Sequence, residues 1–124
     1  MTLCIYLQRV FFMDLNNQLQ EFTSFLIKKK YKNILNSLIL DVCPDDDKLI
    51  KLSLIKIKAS QRRKGYGDAI LDDIITFADA NNVRIKLWIT DVYGTDKRVL
   101  IEFYKKHRFV LIKNNEMIYY PSKS

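Results

Sequence analysis

The stretch ASQRRKGYGDAI, Ala59–Ile70, sets three consecutive cationic side chains, Arg62, Arg63 and Lys64, ahead of Gly65 and Gly67. What flanks it decides how it is read. Before it runs LIKLSLIKIK, Leu49–Lys58, where Leu52, Leu54 and Ile57 alternate imperfectly with polar or basic neighbours, as in a strand. After it, Ala69, Ile70, Ile74, Phe77 and Ala78 share one face of a helix predicted over Tyr66–Ala80, with Asp68, Asp72, Asp73 and Asp79 largely on the other. Asn81 and Asn82 can end that helix. RIKLWIT, Arg84–Thr90, then reads as a strand rich in branched and aromatic residues. A strand–helix–strand unit normally closes as a right-handed parallel crossover. The glycines therefore sit at the turn from the strand into the helix.

Working outward, Asp14 is placed to cap a helix running to about Lys30, with Leu15, Leu19, Phe22, Leu26 and Ile27 on its buried face. A strand follows around Ile34–Val42, and CPDDDK makes a turn that pairs it with Leu49–Lys58 as an antiparallel hairpin. Beyond Thr90, DVYGTD is a loop. A helix over Asp96–Lys106 turns Leu100, Phe103 and Tyr104 inward, and strands near Phe109–Ile112 and Met117–Tyr120 flank a KNNE hairpin turn. The order predicts an α/β (α+β) fold: one mixed, mostly antiparallel sheet with a parallel strand pair and flanking helices, in a single domain over residues 1–124.

The 124 residues suit one domain, and 48% apolar content is ordinary for a globular chain. A net charge of +7 implies attraction to something anionic: nucleic acid, an acidic protein or a phosphorylated small molecule. Cys4 and Cys43 have no closely spaced Cys/His companions, so a structural metal site is not expected, and free thiols fit a reducing cytoplasm. The first residues lack a leading basic segment and a small-residue cleavage site, and Arg9 interrupts their apolar run, so neither a signal peptide nor a membrane span is expected.

At the start of a helix, backbone N–H groups have no intrahelical acceptor, and with the macrodipole they form an anion site. Gly65 and Gly67 let a ligand approach that backbone closely, while Arg62, Arg63 and Lys64 add full charge. A pyrophosphate suits this combination. The pattern is not a P-loop, because Asp68 and Ala69 follow Gly67 where Lys and Ser or Thr are needed. It is not a dinucleotide fingerprint either, because Ile70 stands at the third glycine. What remains is Arg-x-x-Gly-x-Gly between a strand and a helix.

On these residues the sequence resembles the GNAT acyltransferase superfamily, whose cofactor loop follows Gln/Arg-x-x-Gly-x-Gly/Ala, matched by Arg62, Gly65 and Gly67. RVLIEFYKKHRF resembles the family's later helix motif, a Phe-Tyr pair followed shortly by Gly-Phe, and the likeness covers about residues 34–120. Three positions depart from it. Arg63 stands where Gly is frequent, Arg108 replaces the Gly of Gly-Phe, and YGTDK replaces an Asn before the later helix.

The resemblance implies acetyl-CoA held between splayed parallel strands, Leu49–Lys58 and Arg84–Thr90. Backbone groups of Ile55, Lys56 and Ile57 would hold the pantetheine arm, and those of Arg63, Lys64, Gly65, Tyr66, Gly67 and Asp68, with Arg62, would hold the pyrophosphate. It implies an N-acetyltransferase in which an amine attacks the thioester directly, with Tyr104 as proton donor to the departing thiolate. Asp91 and Glu102 are the candidate bases, and water is the alternative. His107, the one histidine, is expected to be a cation near a helix end, and Trp88 to be core. The acceptor class stays open between a small molecule and a protein, and the oligomeric state between monomer and homodimer. Two other readings also stay open: a basic nucleic-acid-binding module, and a cofactor-binding relative without activity.

Overall fold

The computed structural model describes residues 2–62, 64–89, 96–113 and 115–122, with side chains from residue 14 onward. A long first helix, α1 (Thr2–Phe25), continues into a π-helical turn over Leu26–Lys30, closed by Tyr31 N–H donating to the Leu26 carbonyl at 2.8 Å. Asp14 therefore does not start the helix. It lies inside it, exposed, and accepts a hydrogen bond from Gln18 one turn on. The expected inward face is in place: Leu15, Leu19 and Leu26 are buried and Phe22 stacks on Phe77 at 4.8 Å. Lys28, Lys29 and Lys30 occupy the last turn, where cations suit the negative end of the helix.

Strand β1 (Leu35–Cys43) turns through Pro44 and Asp45 into β2 (Asp46–Ile57), the crossover helix α2 (Tyr66–Asn81) leads to β3 (Arg84–Trp88), and α3 (Lys97–Lys106) precedes the hairpin β4 (Val110–Lys113) and β5 (Glu116–Tyr119). The five strands lie in the order β1-β2-β3-β5-β4, antiparallel except for the parallel pair β2 and β3. This is the α+β fold with a mixed sheet that the sequence predicts. β2 begins three residues earlier than expected. Asp46 pairs with Cys43 across a two-residue turn, and its carboxylate meets Arg84 on β3.

The helices share one face of the sheet. Leu40, Leu52, Ile50, Ile85, Leu87, Met117 and Tyr119 form the buried face. α2 lies on it with Ile70, Leu71, Ile74, Ile75 and Ala78 buried. Tyr31 and Lys30 at the end of the first helix reach Asp73 of α2 at 2.6 and 3.0 Å, and Tyr119 reaches Asp79 at 2.8 Å. The opposite face carries Asp41, Lys51, Ser53 and Val110, all exposed, and its large apolar residues include Ile39 at 45% and Trp88 at 47% exposed. Trp88 is thus not the core residue its place in a strand suggested. Both Lys51 and Lys86 set their ammonium groups over its ring, at 5.0 and 4.7 Å.

Helix ends follow local chemistry. Asn82 adopts φ 53 and closes α2 with its N–H on the Ala78 and Asp79 carbonyls, and Asp96 caps α3 by accepting from Arg98 N–H. The end of α3 is a Schellman motif: Phe109 N–H donates to Tyr104 O at 3.1 Å and Arg108 N–H to Lys105 O at 2.9 Å, with Arg108 at φ 71. Arg108 thus holds the left-handed backbone of the Gly it replaces, and its guanidinium lies 5.8 Å from the Tyr119 ring centre.

Two isoleucines test the one-sided packing. Ile85→Ala should cost about 2–5 kcal/mol, because it opens a cavity between sheet and helix. Ile39→Ala on the open face should cost under about 1 kcal/mol. Urea unfolding at constant m-value measures both.

Candidate functional site

The imperfect alternation of LIKLSLIKIK is a β-bulge. Leu52 pairs with Leu40 and Leu54 with Ile39, so Ser53 has no partner on β1. Core-facing positions shift from Ile50 and Leu52 to Ile55 and Ile57, which pack half-buried against the core. A bulge bends its strand and sharpens the local twist. The parallel pairing of β2 with β3 stops just before it: Leu49, Ile50 and Lys51 pair with Arg84, Ile85 and Lys86, and no pair follows. From there β2 stays with β1 as far as Ile57, while β3 stays with β5 through Leu87 and Trp88. The sheet parts into two halves, and among the described residues no strand pairs with the β3 side of β2 beyond Lys51.

Past Ile57 the chain makes a short 3-10 turn, Ala59–Gln61, and reaches Gly65 at φ 82, the residue that opens α2. A β-carbon on Gly65 would meet nothing within 4 Å, so this glycine answers a backbone demand and leaves open space above it. Among the described residues no side chain caps the helix start, so the first N–H groups, those of Tyr66, Gly67 and Asp68, have neither an intrahelical nor a side-chain acceptor there. Gly67 serves proximity instead. A β-carbon there would touch Phe103 at 3.6 Å and Ile57 at 3.8 Å. The end of β2, the start of α2 and the inner face of α3 therefore converge on Gly67.

Among the sequence-predicted residues, Ile55, Lys56 and Ile57 lie along the freed edge of β2, and Lys64, Gly65, Tyr66, Gly67 and Asp68 lie around the bend. Arg62 turns back, donating from Nε to the Ile57 carbonyl at 3.2 Å, so it ties the loop to the strand it leaves. Lys64 Nζ reaches Gln61 at 3.5 Å. Arg63 and Asp91 lie outside the described residues, and Glu102 is exposed on α3.

Tyr104 sits half-buried on α3, edge-on to Phe103 at 5.1 Å and to Phe109 at 5.4 Å. Burial pushes its hydroxyl up to about 12, so it stays protonated through the neutral range. Among the described residues none hydrogen-bonds that hydroxyl, although Tyr31 and Tyr119 both donate to carboxylates. The phenol is neutral, partly desolvated and has an uncommitted proton.

His107 lies at a helix end, as expected, but its partners were not foreseen. Its side chain is only 9% exposed, and its ring joins α3 to α2 through Asp68 at 2.7 Å and Asp72 at 3.0 Å. The i, i+4 spacing of Asp68 and Asp72 is the one visible signal, because it puts two carboxylates on adjacent turns of one face. Hydrogen bonds from His107, then from Lys106, hold the Asp68 carboxyl below the usual carboxylate range, with burial opposing them.

Two predictions follow from this geometry. Gly65→Ala should destabilise by about 1 kcal/mol through its left-handed backbone, whereas Gly67→Ala should stay within about 0.5 kcal/mol. Denaturant midpoints of the two variants check this. Because the folded Asp68 carboxyl is lowered, its stabilisation is complete above the ordinary carboxyl value of about 4 and is lost as pH falls through the lowered value. Asp68→Asn should therefore flatten the acid limb of the stability–pH profile, read by urea midpoints along that limb.

The sequence matches no protein-family model and no curated protein. Solved structures do match. Ard1 from Thermoplasma volcanium superposes with a TM-score of 0.56 at 20% identity, covering 69% of this chain and 62% of that one. The anti-CRISPR protein AcrVA5 superposes at 0.54 with 16% identity, covering 66% of this chain and 86% of that one. The chain thus spans less than two thirds of the length of Ard1. With its mixed sheet, its one parallel pair and these neighbours, the chain has the fold of the GNAT acetyltransferases.

Proposed function

We propose that this protein is an N-acetyltransferase that uses acetyl-CoA and a primary amine. The observation that carries this reading is the convergence, within one turn of chain, of a freed strand edge and an uncapped helix start. An extended chain of amides and a diphosphate are the groups that answer the two in sequence. The backbone of Ile55, Lys56 and Ile57 can bond a pantetheine arm in strand fashion. The N–H groups of Tyr66, Gly67 and Asp68, with Lys64 beside them and open space over Gly65, can bond the diphosphate.

Acetyl-CoA, when bound, would supply a thioester at whose acyl carbon an amine can form the new C–N bond as the C–S bond breaks, the amine's proton passing to water. The chain supplies orientation and a proton. Tyr104 is the assigned donor to sulfur: its hydroxyl is neutral at working pH and has no competing partner among the described residues.

Thermal melting tests binding. Acetyl-CoA at about 100 times its dissociation constant should stabilise the fold by about 2.7 kcal/mol, a rise of several degrees for a chain of this size. Gly67→Glu should abolish the rise, because it adds a negative charge in the first turn of α2, beside the N–H groups proposed to hold the diphosphate. No rise for the native protein at millimolar acetyl-CoA would remove the proposal. Thiol release across a panel of amines then reads turnover. Tyr104→Phe should lower kcat by about tenfold to a hundredfold and leave acetyl-CoA affinity nearly unchanged. Equal kcat in both proteins would take Tyr104 out of the mechanism.

A further inference from the structure

His107 is the helix-capping residue at the end of α3, and its ring lies between two carboxylates of α2. Nε2 is 2.7 Å from Asp68 Oδ1 and Nδ1 is 3.0 Å from Asp72 Oδ1. Nε2 hydrogen-bonds Asp68, and Nδ1 stands at ion-pair distance from Asp72, so an imidazolium answers a carboxylate at each nitrogen. The charged groups around it are Asp68 and Asp72 from α2 and Lys106 from α3, whose Nζ shares Asp68 Oδ1 at 3.1 Å. Phe103 tilts against the ring at 5.3 Å. The Lys106 side chain is 67% exposed against 9% for His107, so the His107 contact with Asp68 is the one that water and salt screen less.

Asp68 follows Gly67 in the first turn of α2. A carboxylate there suits the positive end of a helix with nothing bound, but it opposes any second anion drawn to the same N–H groups. Bonded to His107 and Lys106, it is committed to α3 and its charge is cancelled. The same bond presses α3 onto the start of α2, where Phe103 lies 3.6 Å from the β-carbon position of Gly67. We propose that His107 is a positioning residue for coenzyme A: its imidazolium cancels the Asp68 charge beside the N–H groups of Tyr66, Gly67 and Asp68, so that the start of α2 can accept a diphosphate while α3 stays docked against it. This rests on the reading of that bend as the diphosphate site.

The test is calorimetric titration with coenzyme A of the native protein, His107→Gln, and His107→Gln combined with Asp68→Asn, each with its melting temperature recorded. His107→Gln should bind about fivefold more weakly, because an unanswered carboxylate then faces the diphosphate, and higher salt should narrow the gap. Adding Asp68→Asn should restore most of the lost affinity. A purely structural clasp predicts the reverse, since the second change removes another of its partners. Native-like affinity in His107→Gln, or no recovery in the double variant, overturns the inference and leaves the diphosphate reading standing. Absence of binding by the native protein overturns both. If His107→Gln does not fold, Asp68→Asn alone decides: tighter binding than native supports charge cancellation, and equal or weaker binding overturns it.

Discussion

Ser53 has no partner across the hairpin, and the architecture of the site turns on that one extra residue. A strand that kept strict alternation could follow its parallel neighbour to its end, and every amide between them would be paired. The bulge instead rotates the rest of β2, so that Ile55 and Ile57 face the core and the edge toward β3 is released. Released amides and carbonyls need partners from water or from an extended ligand, because leaving them dry costs about 1–3 kcal/mol each. The opening does not divide the core. α2 buries Ile70, Ile74 and Ala78 as well as Leu71 and Ile75, so it packs in two directions and spans beneath both halves of the sheet.

The two glycines of the loop do different work, and the difference explains why three elements meet there. Gly65 is needed for its dihedral, since its φ of 82 is one that side chains resist, with empty space above it. Gly67 marks a close approach, since Ile57 and Phe103 come to within ordinary contact of where a side chain would begin. Through Phe103 the same contact fixes the height of α3, and so of Tyr104, one residue on. The Schellman motif then ends α3 and turns the chain so that His107 faces α2 and Phe109 packs on Tyr104 and Tyr119. That motif normally has glycine at the left-handed position. Arg108 occupies it at a cost of about 1 kcal/mol, offset in part by its guanidinium over Tyr119.

Most of the fold could be read from local pattern because its signals are local. The period of Tyr66–Asn81, Asn82 after it, and Asp96 before Lys97 each act within one or two turns of chain. Even the bulge is visible, as the phase slip between Leu52 and Ile55 in LIKLSLIKIK. Asp14 misled because a capping residue is identified by the backbone around it, and here the helix had already begun at Thr2, leaving its side chain to Gln18. Asp46 looked like a turn residue among three aspartates until Arg84, 38 positions away, was beside it. Trp88 looked like core because only the tertiary structure shows that all three helices take the other face. His107 was illegible for the same reason: its partners lie 35 and 39 residues back in sequence, and nothing near it announces a carboxylate pair.

Net charge, the most conspicuous number in the sequence, turns out to say little until it is placed. Several basic residues are paired locally: Lys30 with Asp73, Arg84 with Asp46, Lys86 with Glu116, and Lys106 with Asp68. Such pairs contribute little to attraction at a distance, since each presents a dipole to solvent. Around the loop the balance differs. Arg62 and Lys64 are exposed and form no ion pair among the described residues, and the helix start they flank has no capping side chain. The carboxylate in that first turn, Asp68, is held from α3 by Lys106 and His107. The cations at the bend thus stand beside the backbone N–H groups that start α2, whereas Lys28, Lys29 and Lys30 gather at the negative end of the first helix, so charges of one sign meet opposite ends of two helix dipoles and the total charge of the chain does not tell the two settings apart.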